Sequence, residues 1–344
     1  MPDLDYLKWD RGELLRHVGH MEQIAGIKPV EGADGLERGT RIFEVWTGSG
    51  LYYHVLADRG LDISTCHYKG ISLAWRSPVG DAHPAYYDAA GAAWLRSFQG
   101  GMLVTCGLDT FGPASQDEGE DLGQHGRASS LPASHINYLT YWQDGSYWLE
   151  ITGEVRQAKV YGENLVLRRR ITSALGANKI RIEDTVTNED FKNHPHMILY
   201  DINIGFPMLS ERARLQFEVD KTVPFDDYSL GGIEDWRVFQ SPEAGFREFD
   251  FIHTPKADQR GWASLELENP ALKLGLRIAF NTATLPYLAQ WKMMGEGLYV
   301  LAMQPMNTNV WGGRAEVRRQ NALPYLEAGE SRGYEVEIDV VEYP

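Results

Sequence analysis

The sequence predicts an all-β protein, a large sandwich of antiparallel sheets, and three observations predict it. Apolar and polar residues alternate with a period of two along much of the 344-residue chain; 35 glycines supply turns; and helical patterns are few and short. High aromatic content, with 10 Trp and 17 Tyr, suits sheet-on-sheet packing and equally suits stacking on a ring-shaped ligand.

The elements follow in order. Residues 1–40 read as an N-terminal extension packing on the sandwich, with one helical pattern over residues 14–23. Arg41-Ile-Phe-Glu-Val-Trp-Thr47 and Leu51-Tyr-Tyr-His-Val-Leu56 form a hairpin whose Gly48-Ser-Gly50 turn needs positive φ. The alanine-rich residues 86–97 read as a second short helix. Residues 165–173 and 179–187 form a longer hairpin around Gly176-Ala-Asn178. In its second strand Ile180, Ile182 and Val186 alternate with Arg181, Glu183 and Thr187, the mark of one buried and one polar face. Further strands are expected at residues 215–219, 263–267, 272–280, 299–303 and 334–341. No linker, charge block or internal repeat divides the chain, so residues 40–344 are read as one domain, a length that a large all-β domain can reach.

Composition excludes several functions. A formal charge of −15 opposes nucleic-acid binding, which needs a basic stripe, and disfavours polyanionic substrates. No apolar run approaches the ~18 residues of a membrane span, and the acidic start lacks the basic and apolar regions of a signal peptide. Cys66 and Cys106 form neither a disulfide framework nor a thiolate metal site. A cytoplasmic protein is expected, a possible homodimer, with a small molecule as partner and no cofactor.

Chemistry-bearing residues concentrate between Val186 and Gly205. His194-Pro-His196 has the spacing of paired metal ligands, with His125 and Asp201 as candidates to complete a set, although histidines flanking a proline near a loop are more often bonded locally. Arg59, between Asp58 and Asp62, reads either as an ion-pair knot or as a fork for two vicinal hydroxyls. Trp75 and Trp291 read as core or cleft wall, and Glu248 and Glu296 as exposed carboxylates or as a base.

An ordered series of segments resembles the galactose-mutarotase-like superfamily, in its aldose 1-epimerase-like, DUF4432-type branch. It comprises Ala57-Asp-Arg-Gly-Leu-Asp-Ile63, residues 70–80, His125-Gly-Arg127, Thr187-Asn188, Tyr200-Asp-Ile-Asn-Ile-Gly205, residues 285–297 and Leu301-Ala-Met-Gln-Pro-Met-Asn307, and covers the chain from about residue 40. The resemblance implies a supersandwich fold, a carbohydrate cleft on the concave face of one sheet, and isomerase chemistry at the anomeric centre of a monosaccharide. That chemistry needs a base for the anomeric hydroxyl and an acid for the ring oxygen, each worth ~10²- to 10⁴-fold in rate. The family's usual histidine acid and glutamate base read Asp201 and Gln304 here. An aspartic acid can donate if burial raises its pKa, whereas a glutamine only hydrogen-bonds. The resemblance thus implies Asp201, His125 and Glu248 as catalytic residues. It implies Arg59, Asp62, Asn203, Gln290, Lys292, Gln304, Asn307 and Trp75 as sugar-binding ones. Keto-sugar isomerisation or elimination, metal-assisted through His194 and His196, and a non-catalytic sugar sensor are the alternatives.

Overall fold

A computed structural model describes residues 5–309 and 312–344. Its described residues form three larger antiparallel sheets. The first is a meander of Gly26–Glu31, Arg41–Trp46, Leu51–Leu56, Asp62–Tyr68 and Ile71–Ser72. The second has eight strands, ordered Arg214–Phe217, Trp262–Asn269, Leu274–Asn281, Ser331–Glu342, Lys179–Asn188, Asn164–Ala174, Ser146–Ala158 and Ser134–Gln143. The third has six: Val219–Pro224, Phe249–Pro255, Tyr287–Gly295, Leu298–Met306, Met197–Gly205 and Val104–Leu108. Both expected hairpins form within a residue of their expected bounds. Gly26–Glu31 pairs in full register with Arg41–Trp46, so the expected domain boundary at residue 40 falls inside a hairpin and the first segment supplies a strand.

Neither expected helix forms as a unit. The pattern over residues 14–23 splits into the helix Arg11–Leu15, started by a capping box between Asp10 and Glu13, and the single turn Met21–Gln23. The alanine-rich stretch gives only the turns Pro84–Tyr86 and Ala93–Arg96, because Gly91 takes a φ of 54° between them. No helix among the described residues is long and apolar enough to cross a membrane.

The six-stranded sheet is covered on both faces, which explains why every residue of Met197–Gly205 is buried. Ile198, Tyr200, Ile202 and Ile204 enter the main core with Ile171, Ile182 and Val186 of the eight-stranded sheet. Met197 and Leu199 face the other way, into a smaller cluster with Trp75, Trp94, Phe98 and Val317. Strand alternation therefore puts Asp201 and Asn203 on this second, front face.

Between the sheets lies a fully buried ionic knot. Arg169 donates from Nε and Nη2 to Asp184, from Nη1 to Asp62 at 2.8 Å, and from Nη2 to Thr105 Oγ1 at 2.8 Å. Tyr200 completes it by donating its hydroxyl to Asp184 Oδ2 at 2.7 Å. Burial alone would depress the guanidinium's pKa, but Asp184 and Asp62 outweigh it and raise the value. Replacing Arg169 with Met should cost about 3–5 kcal/mol, because two carboxylates are left buried without a cation. Urea unfolding checks this, and the triple change Arg169→Met, Asp62→Leu, Asp184→Leu should recover a large part of the loss.

Candidate functional site

The front face of the six-stranded sheet forms the floor of a cleft of about 280 Å³, at the small end of ligand pockets. Four adjacent strands contribute to it: Asp201, Gln304, Trp291 and Asp250. The other lining residues include Trp94 and Leu95 from the turn Ala93–Arg96, Phe98 just after it, and His125 from the loop after Leu122.

Asp201 is 2% exposed, and Gln304 Nε2 donates to its Oδ1 at 2.8 Å. Burial raises its pKa to about 6, even though the hydrogen bonds from Gln304 and Asn203 favour the carboxylate. Asn203, two residues on and on the same face, also donates to the Asp201 backbone carbonyl at 3.2 Å. Three inter-strand spacings away, roughly 14 Å at the backbone, Asp250 is pushed up to about 7 by burial and by the charges of Glu248 and Asp226. The two carboxyls share a cleft without touching, so each titrates in its own surroundings. Glu248 Oε2 accepts from Trp291 Nε1 at 2.8 Å, which fixes both against the floor.

His125 has a φ of 58°, uncommon for a non-glycine residue, and its backbone is tied on both sides: N–H to Gly112 O, and O from Gly107 N–H. Its Nδ1 accepts from Gly112 N–H at 3.3 Å, which assigns the ring proton to Nε2. Burial lowers its pKa to about 4, so the imidazole is a neutral donor at physiological pH. Trp94 stacks on Phe98 with ring centroids 4.4 Å apart, and Trp75 meets Trp291 edge-on from behind.

Of the residues expected from sequence, Asp201, His125, Glu248 and Gln304 line this cleft, with Asn203 and Trp75 adjoining it. The others lie elsewhere. Arg59 is fully buried, and its three nitrogens donate to the carbonyls of Ser129, Ala82 and Ser97 and to Gln99 Oε1. Asp62 belongs to the Arg169 knot. Gln290 and Lys292 flank Trp291 on its strand, so alternation sends them to the opposite face. There Gln290 bonds His253 and the Trp236 carbonyl, and Lys292 bonds the Asp235 carbonyl. Asn307 bridges strands, accepting from Ile198 N–H and donating to His196 O. Glu296 is exposed at a hairpin tip.

The paired histidines go separate ways. His194 Nε2 meets Asp190 at 2.6 Å, while His196 is buried between Leu108 O and Tyr334 OH. Among the described residues no three His, Cys, Asp or Glu side chains are grouped to hold a metal. Sequence reasoning missed Asp250 and the wall residues Trp94 and Phe98. For Asp250 a signal existed: Glu248 and Asp250 alternate with Phe249 and Phe251, which places two carboxyls on one face of a strand.

Residues 37–340 match the model of a domain of unknown function, DUF4432. A crystal structure from Klebsiella pneumoniae, of a protein provisionally assigned as an aldose 1-epimerase, is 26% identical. It aligns over 92% of this chain and 83% of its own with a TM-score of 0.87. A galactose mutarotase-like protein from Clostridium acetobutylicum is 11% identical over 93% of this chain and 99% of its own, with a TM-score of 0.66. Galactose 1-epimerase from Lactobacillus acidophilus is 12% identical over 93% and 100%, with a TM-score of 0.60. No curated protein matches the chain in sequence. The chain belongs to the DUF4432 family and shares its fold with galactose mutarotase-like proteins.

Proposed function

We propose that the protein is an aldose 1-epimerase-like isomerase, which interconverts the anomers of a monosaccharide by proton transfer through the Asp201 carboxyl. The supporting observation is that Asp201 is buried in the cleft, held by Gln304, with its pKa raised to about 6. A carboxyl so matched to neutral pH can both take and return a proton. Above about 6 Asp201 is mostly ionised, so it is the starting base, the reverse of the role that its alignment with the family histidine implied.

Asp201 takes the proton of the anomeric hydroxyl while a water molecule gives a proton to the ring oxygen, and the ring C–O bond breaks to give the open-chain carbonyl. After rotation about the C1–C2 bond, the ring oxygen returns its proton to water as it attacks, and Asp201 returns its proton to the carbonyl oxygen. Gln304 holds the Asp201 carboxylate, and His125, a neutral donor, polarises a sugar oxygen. Trp291, Trp94 and Phe98 supply apolar surface for the ring faces.

NMR measurement of anomer exchange over a panel of aldoses tests this. Wild type should accelerate exchange above buffer, and Asp201→Asn should lower kcat by ~10²- to 10⁴-fold; no acceleration of any sugar by wild type refutes the proposal. The profile of kcat/KM against pH should fall below about 6 as Asp201 gains its proton. In Gln304→Glu a second carboxyl replaces the amide beside Asp201, so one proton is shared and the acid limb should move to higher pH. An unmoved limb would show that Asp201 is not the group titrating there.

Stability gives an independent check. The folded pKa of Asp201 lies above the ordinary 3.8, so its protonation supports the fold at low pH, and that support is lost as pH rises from about 4 through about 6. Asp201→Asn should therefore raise the unfolding free energy from urea titration at pH 8 by on the order of 2–3 kcal/mol, and raise it little at pH 4.

A further inference from the structure

We infer that the cleft ranks sugars by charge, holding a protonated amino sugar more tightly than a neutral one and excluding sugar phosphates and sugar acids, with Glu248 and Asp250 setting the order. This rests on reading the cleft as a monosaccharide site.

The hydrogen-bonding polarity of the cleft carries the argument. Its lining includes three carboxyls, Asp201, Glu248 and Asp250, and no Lys or Arg among the described residues. Two of its donors are already committed: Gln304 spends an N–H on Asp201, and Trp291 spends its only N–H on Glu248. The amide oxygen of Gln304, in a side chain only 4% exposed, is buried with no donor among the described residues. Carboxyl and amide acceptors dominate the cleft, and a ligand rich in donors suits them.

Nearby cations do not change this balance. Arg59 is consumed by backbone carbonyls, Lys292 is turned to the other face of the sheet, and Arg247 pairs with Asp226 at the surface. Asp226 itself, held as a helix cap, adds its negative charge to those of Glu248 and Asp250. A phosphate or carboxylate brings only acceptors and negative charge to this wall, and it is repelled twice over. A neutral sugar donates from its hydroxyls. An ammonium offers three donors, meets the Glu248–Asp250 edge with opposite charge, and lies beside the faces of Trp291 and Phe225.

The test is equilibrium titration, followed by NMR, of glucose, galactose and mannose against their 2-amino, 6-phosphate and uronate counterparts, on wild type and Glu248→Gln. The expected result is amino sugars bound about tenfold more tightly than their neutral parents, a preference that shrinks with added salt, and no binding of phosphates or uronates. In Glu248→Gln the amino preference should fall severalfold and uronate binding should appear, while an unchanged urea midpoint shows that the fold is intact. Equal affinities across the charge series, or tighter binding of the anions, overturn the inference while leaving the isomerase reading standing if neutral sugars exchange. Amino sugars bound in the expected order without exchange of any sugar sustain the inference and refute the isomerase reading. If no sugar of the panel binds, both fall.

Discussion

The structure depends on one cation without access to water. Arg169 leaves the eight-stranded sheet, crosses the main core and binds Asp62 from the N-terminal meander, Thr105 from the edge of the six-stranded sheet, and Asp184 from its own sheet. All three sheets are thereby indexed to a single planar group, whose fork tolerates little displacement of any partner. Hydrophobic contact alone would let two sheets slide; a desolvated guanidinium fixes their register. Tyr200, which closes the knot from below, immediately precedes Asp201, which opens onto the cleft above. The back of that strand is set by the knot, and the front inherits its position.

The cleft uses the complementary principle. Arg169 balances buried charge, whereas Asp201 is buried with too little compensation, and the imbalance is what raises its pKa toward neutrality. His125 is treated in the same way with opposite sign, and burial keeps its ring uncharged. Each of these groups would be better solvated outside the protein, so the surrounding fold must be stable enough to hold them. The two hydrophobic clusters on either side of the six-stranded sheet provide that stability.

The strand architecture was readable from the sequence because alternation is a local signal, and the residues of the Arg41–Trp46 and Leu51–Leu56 hairpin state it plainly. The short helices were misread because propensity in an alanine-rich stretch is weaker than one glycine at positive φ. Within the site, Asp201, Gln304 and His125 were reached through the family resemblance. Arg59, Gln290 and Lys292 were placed wrongly for a common reason: polar residues in family-like segments serve the scaffold as well as the ligand, and sequence does not show which face of a strand is open. Trp291 and its two neighbours illustrate this, since the ring reaches the cleft and both polar neighbours are turned from it.

The clasp around Arg59 has a consequence for how this protein can diverge. Its principal acceptors are the main-chain carbonyls of Ser129, Ala82 and Ser97, groups that every residue possesses whatever its side chain. The loop that carries Trp94, Leu95 and Phe98 is therefore held by its path and not by its composition. Substitutions along that wall can reshape the cleft while the anchor stays engaged, so the geometry of the scaffold and the selectivity of the site are free to evolve separately.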